Sequence, residues 1–138
     1  MALITVAAII ALISAACIQE GTAGLECEDG GEQWKEYRLF LGRNVGDIEV
    51  VSDADWDAFL ADIVTPRFPD GLSALDVAGQ WRGEDGNIER ERSKMLLILA
   101  PPDTSPLDQL NEVSAEYKRR FSQDAVLRVV TEACVAFK

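Results

Sequence analysis

A chain of 138 residues allows one domain with a real core and leaves little room for a second. Hydrophobic side chains make up 48%, enough for a packed interior, while 24 acidic against 13 basic residues give a formal charge of −11. A surface that acidic repels phosphate backbones and anionic headgroups, which argues against nucleic acid and against electrostatic membrane binding.

The first 17 residues carry no charge and end in Ser14, Ala15 and Ala16 before Cys17. Small residues closing an apolar run predict a signal peptide over 1–17, and therefore export to the periplasm or cell envelope. The run is short of the ~20 apolar residues that span a bilayer, although continuing it through Ile18 makes an uncleaved anchor the alternative. Ser14-Ala-Ala-Cys17 also resembles a bacterial lipoprotein cleavage site, making Cys17 the lipidation candidate, with simple secretion next. The membrane is thus reached only through a lipid or an N-terminal anchor. With Cys17 set aside, Cys27 and Cys134 remain as a pair for one disulfide in an oxidising compartment, two buried thiols being the alternative.

Residues 18–33, rich in Gly and Glu, read as a flexible tether, and 34–138 as the ordered domain. Glu36 to Gly42 alternates as a strand does, and Arg43 to Ile48, with two glycines, reads as a loop. Ser52 is a helix N-cap with Asp55 three residues on. Trp56, Phe59, Leu60 and Ile63 then share one helical face until Pro66 stops the helix. Asp53, Asp55 and Asp57 suit a helix start and fail a calcium loop, which needs Gly at the position of Ala58 and an acid at Val64. No metal or cofactor is implied.

Pro69-Asp-Gly-Leu72 predicts a turn, followed by a strand in which Leu75, Val77, Gly79 and Trp81 alternate with Asp76, Ala78, Gln80 and Arg82. Trp81 is expected in the core. Glu84-Asp-Gly-Asn87 makes a hairpin turn, and the returning strand ends in Met95 to Leu99, apolar on both faces. Pro101 and Pro102 end that strand. A second helix from Ser105-Pro106 carries Leu107, Leu110, Val113, Tyr117 and Phe121 on one stripe, and Val126 to Phe137 is the last strand.

This order predicts an α+β, ferredoxin-like βαββαβ domain, two helices covering one face of a four-stranded antiparallel sheet. In that topology the last strand lies antiparallel beside the first, which brings Cys134 close to Cys27. The stretches Ser52-Asp-Ala-Asp-Trp56, Thr65-Pro-Arg-Phe-Pro-Asp-Gly71, Gly79-Gln-Trp-Arg-Gly83, Arg90-Glu-Arg-Ser-Lys94, Tyr117-Lys118 and Val126-Leu-Arg-Val129 carry a family resemblance. From about Tyr37 to Phe137 the chain resembles the bacterial domain of unknown function 3574. The resemblance implies a secreted or lipid-anchored envelope protein and assigns no activity.

No His occurs in the chain, which removes the commonest general base and metal ligand. Gly79 and Gly83 flank strand residues and form no phosphate loop. The ligand-binding candidates are Asp76, Gln80 and Arg82 beside Arg90, Glu91, Arg92 and Lys94, with Arg38, Arg128 and Arg67 as additions. An Arg pair there clamps an anionic small molecule, Gln80 orients it and Asp76 or Glu91 is the base. Cross-strand pairing without a ligand is the plainer reading, and Arg67 equally suits capping the preceding helix. Leu96, Ile98, Val126, Val130 and Phe40 exceed what one covered face hides, which calls for a homodimer through the open sheet face or a pocket under the loop 43–48. A non-catalytic binding or interaction module is the expected function. The alternative, a small enzyme acting on an anionic molecule at that face or dimer interface, requires Asp76 or Glu91 to be buried beside Arg82.

Overall fold

In a computed structural model of the chain, residues 26–83 and 85–138 are described. The expected signal segment 1–17, Cys17 and the first part of the tether lie outside the described residues. Of the tether expected over 18–33, the last residues are ordered. A single turn at Glu28–Gly30 leads into β1 (Glu32–Gly42), which starts ahead of the expected boundary at Trp34. The cause is pairing, since Glu32 and Gln33 lie opposite Val135 and Cys134 of the last strand. Cys27 and Cys134 are joined by a disulfide, their Cα atoms 5.4 Å apart, as the ferredoxin-like order requires.

The stretch expected as a loop after β1 contains a small ribbon, β2 (Asn44–Val45) against β3 (Ile48–Glu49), turning at Gly46 with φ of 58°. The helix α1 (Asp53–Phe59) begins in a reciprocal capping box: the Asp55 N–H donates to Ser52 Oγ and the Ser52 N–H to Asp55 Oδ2, both at 3.1 Å. Its path widens by one wide turn over Leu60–Val64 and tightens again over Thr65–Arg67, with Pro66 allowed because it sits in that final turn.

The strands β4 (Ser73–Arg82) and β5 (Ile88–Ala100) form the hairpin, α2 (Leu107–Phe121) returns, and β6 (Leu127–Val135) closes the sheet. The spatial order is β4-β5-β1-β6, antiparallel throughout. That is the ferredoxin-like arrangement, with β1 and β5 central.

The core lies between the sheet and the helices. Tyr37, Leu39 and Leu41 of β1 and Leu96 and Ile98 of β5 face Trp56, Phe59, Val64, Leu110, Val113, Tyr117 and Phe121. Phe59 meets Tyr117 edge-on at 5.1 Å and Phe121 at 5.8 Å, so the two helices are joined through rings. Each such buried side chain contributes about 1.5–3 kcal/mol. Leu107, counted on the α2 stripe, is the first residue of α2 and stays exposed. Among the described residues no helix is long and apolar enough to cross a membrane.

Candidate functional site

Arg43 follows β1 in the alternation that buries Leu39 and Leu41, so its side chain also turns inward and is only 1% exposed. A guanidinium held inside a fold needs its donors met. Its Nε donates to the Val51 carbonyl at 2.7 Å, Nη1 to Asp53 Oδ1 at 2.8 Å and Nη2 to Glu49 Oε1 at 2.9 Å. Asp53 opens α1 just after the capping-box residue Ser52, and its Oδ1 also lies 3.6 Å from Arg92 Nη2 and from Lys94 Nζ on the central strand β5. The hydrogen bond from Arg43, followed by its charge, holds the Asp53 carboxyl below the usual carboxylate range.

Lys94 lies on the helix side of β5 and pairs with Asp76 across the hairpin at 2.6 Å, its Nζ 5.7 Å from the centre of the Trp56 ring. Arg43, Arg92 and Lys94 thus meet Glu49, Asp53 and Asp76, three cations on three carboxylates. A balanced set leaves no surplus charge for an ionic substrate; it clasps the start of α1 to β1 and to the hairpin. Beside it the Tyr117 hydroxyl donates to the Gly42 carbonyl at 2.8 Å, and burial pushes its phenol well above the ordinary tyrosine range.

The residues expected to clamp an anion are not gathered. Asp76, Gln80 and Arg90 share the helix side of the hairpin, where Gln80 stands opposite Arg90. Asp76 is 72% exposed and already paired, and Arg82 is drawn away to the Gly86 carbonyl in the hairpin turn, at 3.0 Å. Glu91 is on the other face, because neighbours in a strand point oppositely, and there its Oε1 accepts the Asn44 N–H at 2.7 Å. Gly42 makes room for it, since a Cβ at that position would stand 2.5 Å from Glu91 Oε1. Arg67 is remote from these groups, bonded to the Ile63 carbonyl at 2.7 Å and to Glu112 at 3.0 Å, which is the capping role. Arg38 pairs with Glu36 on the open face, while Arg128 donates to Asn111 at 2.9 Å. Neither Asp76 nor Glu91 is buried beside Arg82.

The open face is apolar, but its membership differs from the expectation. Leu96 and Ile98 lie under the helices and Val126 packs against the core. Register puts Leu97, Met95 and Ser93 on the outer face, across from Arg38, Phe40 and Gly42 on one side and Ser73, Leu75 and Val77 on the other. Leu127 and Val129 continue that face on β6. Trp81, expected in the core, is 44% exposed there, because no layer covers this side of β4 among the described residues. At the centre Glu36 and Arg38 form an ion pair surrounded by apolar neighbours. Sequence reasoning passed over Arg43 as a loop residue; the signal for it was its place as the next odd position after Leu39 and Leu41.

A family model described as a protein of unknown function, DUF3574, matches residues 36–137. The chain belongs to the DUF3574 family. In this DUF3574 domain the Ser52–Trp56 and Arg90–Lys94 stretches meet in the clasp around Asp53. No curated protein matches the chain. Among solved structures it is similar to a phage SAM lyase in complex with S-methyl-5'-thioadenosine, with a TM-score of 0.56 and 22% identity over 74% of this chain and 83% of that one. The same lyase in its apo state gives 0.55 and 22% over 78% and 86%. CutA from Synechococcus elongatus gives 0.46 and 11% over 74% and 78%. At these identities the lyase likeness supports the shared fold and nothing further.

Proposed function

We propose that this DUF3574 protein is a non-catalytic interaction module of the cell envelope, and that its open sheet face docks on a second copy of the chain. The observation that carries the reading is the apolar outer face, on which Leu75, Trp81, Leu99 and Leu127 remain exposed around Phe40, Val77, Met95 and Leu97. Patches of this kind in an otherwise strongly charged protein mark docking surfaces. Four strands spaced at about 4.8 Å and about ten residues long present roughly 19 by 33 Å, so two such faces bury on the order of 1,200 Å², the lower end of stable interfaces. A two-fold arrangement also lets Glu36 of each copy meet Arg38 of the other, keeping the central charges paired. The Cys27–Cys134 bridge and the apolar first 17 residues support export.

Sedimentation velocity of the full-length, oxidised protein tests this. A concentration-dependent dimer with a dissociation constant below about 100 μM is expected, and Leu97→Glu, which keeps the fold by circular dichroism, abolishes it. A wild-type protein that stays monomeric at about 1 mM, or a dimer that Leu97→Glu leaves intact, overturns the proposal.

A further inference from the structure

The strand β4 begins at Ser73, opposite Leu97, but β5 continues to Ala100. Over Ile98, Leu99 and Ala100 the β5 backbone is therefore paired with β1 on one side only. The reason is local. The turn after Phe68, closed by the Gly71 N–H on the Phe68 carbonyl at 3.3 Å and needing glycine for its φ of 145°, delivers the chain to the sheet late. In an antiparallel strand each residue presents its N–H and C=O to the same side, and neighbours alternate. At least one residue of these three therefore offers both groups to the free edge, and among the described residues no backbone hydrogen bond from the Phe68–Leu72 turn meets them.

This free edge is the floor of a cleft of about 610 Å³, between the Phe68–Leu72 turn and the Pro101–Pro106 segment. Small-ligand sites fall in the range of about 300–1,000 Å³, so the cleft is large enough to hold a few side chains. Trp34 and Phe137 also line it, in edge contact at 6.0 Å, and Phe137 is 87% exposed. Of the charged groups lining it, Arg67 is spent on Glu112 and the Ile63 carbonyl, which leaves Asp70 with no ion-pair partner among the described residues. The chain as a whole carries −11.

We infer that the cleft binds an extended, basic peptide segment, which adds a short strand to the Ile98–Ala100 edge. The backbone edge supplies main-chain hydrogen bonds, the Trp34 and Phe137 rings take an apolar side chain, and Asp70 within a negative field selects a cationic neighbour. Three residues of free edge span about 10 Å, room for a three-residue strand. The cleft adjoins the open face, with Leu97 and Leu99 common to both, so peptide binding and self-association are separated by measuring at concentrations on either side of dimerisation.

Calorimetric titration of the full-length, oxidised protein, at concentrations below and above those that give self-association, tests it with three capped hexapeptides. These are alternating Lys and Val, the same peptide N-methylated at its valines, and alternating Glu and Val. The Lys/Val peptide is expected to bind with a constant of about 10–100 μM, the N-methylated and acidic peptides at least tenfold more weakly. Gln109→Trp, an exposed α2 residue lining the cleft, removes binding, and Asp70→Lys turns the preference toward the acidic peptide. No binding at about 1 mM, equal binding of the N-methylated peptide, or wild-type affinity in Gln109→Trp overturns the inference.

Discussion

Arg43 and Asp53 stand 2.8 Å apart across the joint between the central strand and the first residue of α1. Arg43 is the buried member and holds three acceptors from one side chain, so removing it strands the Val51 carbonyl. Arg43→Met is expected to cost about 2–4 kcal/mol in urea unfolding, because apolar packing returns only part of the lost hydrogen bonding. A change below about 0.5 kcal/mol would mean that the clasp does not hold the fold together.

The pH dependence follows from two groups shifted in opposite directions. The folded Asp53 carboxyl is depressed below its ordinary 3.8, so its contribution is complete above that value and is lost as pH falls through the lower, folded one. Asp55, held down by the Ser52 hydroxyl, acts in the same direction. Tyr117 is raised by burial above its ordinary 10.0, so its contribution is complete below that value and is lost as pH rises beyond it. The melting temperature is expected to be flat through neutrality, to fall at the acid end less steeply in Asp53→Asn, and to fall at the alkaline end less steeply in Tyr117→Phe.

The Cys27–Cys134 bridge closes a span of 107 residues. In the chain-entropy account such a loop contributes up to about 5 kcal/mol, so unfolding free energies extrapolated from urea curves with and without reductant are expected to differ by that order. Cys134→Ser should reproduce the reduced midpoint. Coincident oxidised and reduced curves would contradict the expectation.

How far the fold was legible depended on where one period dominated. Alternation in β1 separates Leu39 and Leu41 from Arg38 and Phe40, and the helical stripe through Leu110, Val113, Tyr117 and Phe121 is unbroken, so these elements and their order could be read directly. From Met95 to Leu99 both faces are apolar, and no alternation says which one the helices cover; the register Leu39 opposite Leu96 decides it. The same ambiguity misplaced Trp81. The sheet side carrying Asp76 and Lys94 is the helix side, so the more apolar face of β4 is the uncovered one. Arg90 and Glu91 fall on opposite faces of β5, because neighbours in a strand point oppositely, so one sheet face cannot present both. Arg43 joins Glu49 and Asp53 only through the turn of the β2–β3 ribbon, a tertiary relation that no spacing rule contains.

Association through an apolar face between two chains of −11 each works against charge repulsion. Raising salt from about 50 to 500 mM is therefore expected to tighten self-association, whereas peptide binding in the cleft should weaken. Arg38→Ala removes the partner of Glu36, whose side chain is only 15% exposed even in the single chain, and is expected to weaken the dimer about tenfold. A dimer weakened by salt would point to a charged interface on another surface.

The most direct measurement is methyl NMR of the full-length, oxidised protein with a soluble paramagnetic probe, at a concentration where self-association is complete. If the outer face of the sheet is the docking surface, the Leu97, Met95, Val77 and Val129 methyls escape broadening while Ile48 and Leu107, exposed elsewhere, lose their signals. If Leu75, Leu97 and Leu127 broaden as strongly as Ile48, that face is open to solvent and the account of this protein as a module joined through its sheet is wrong.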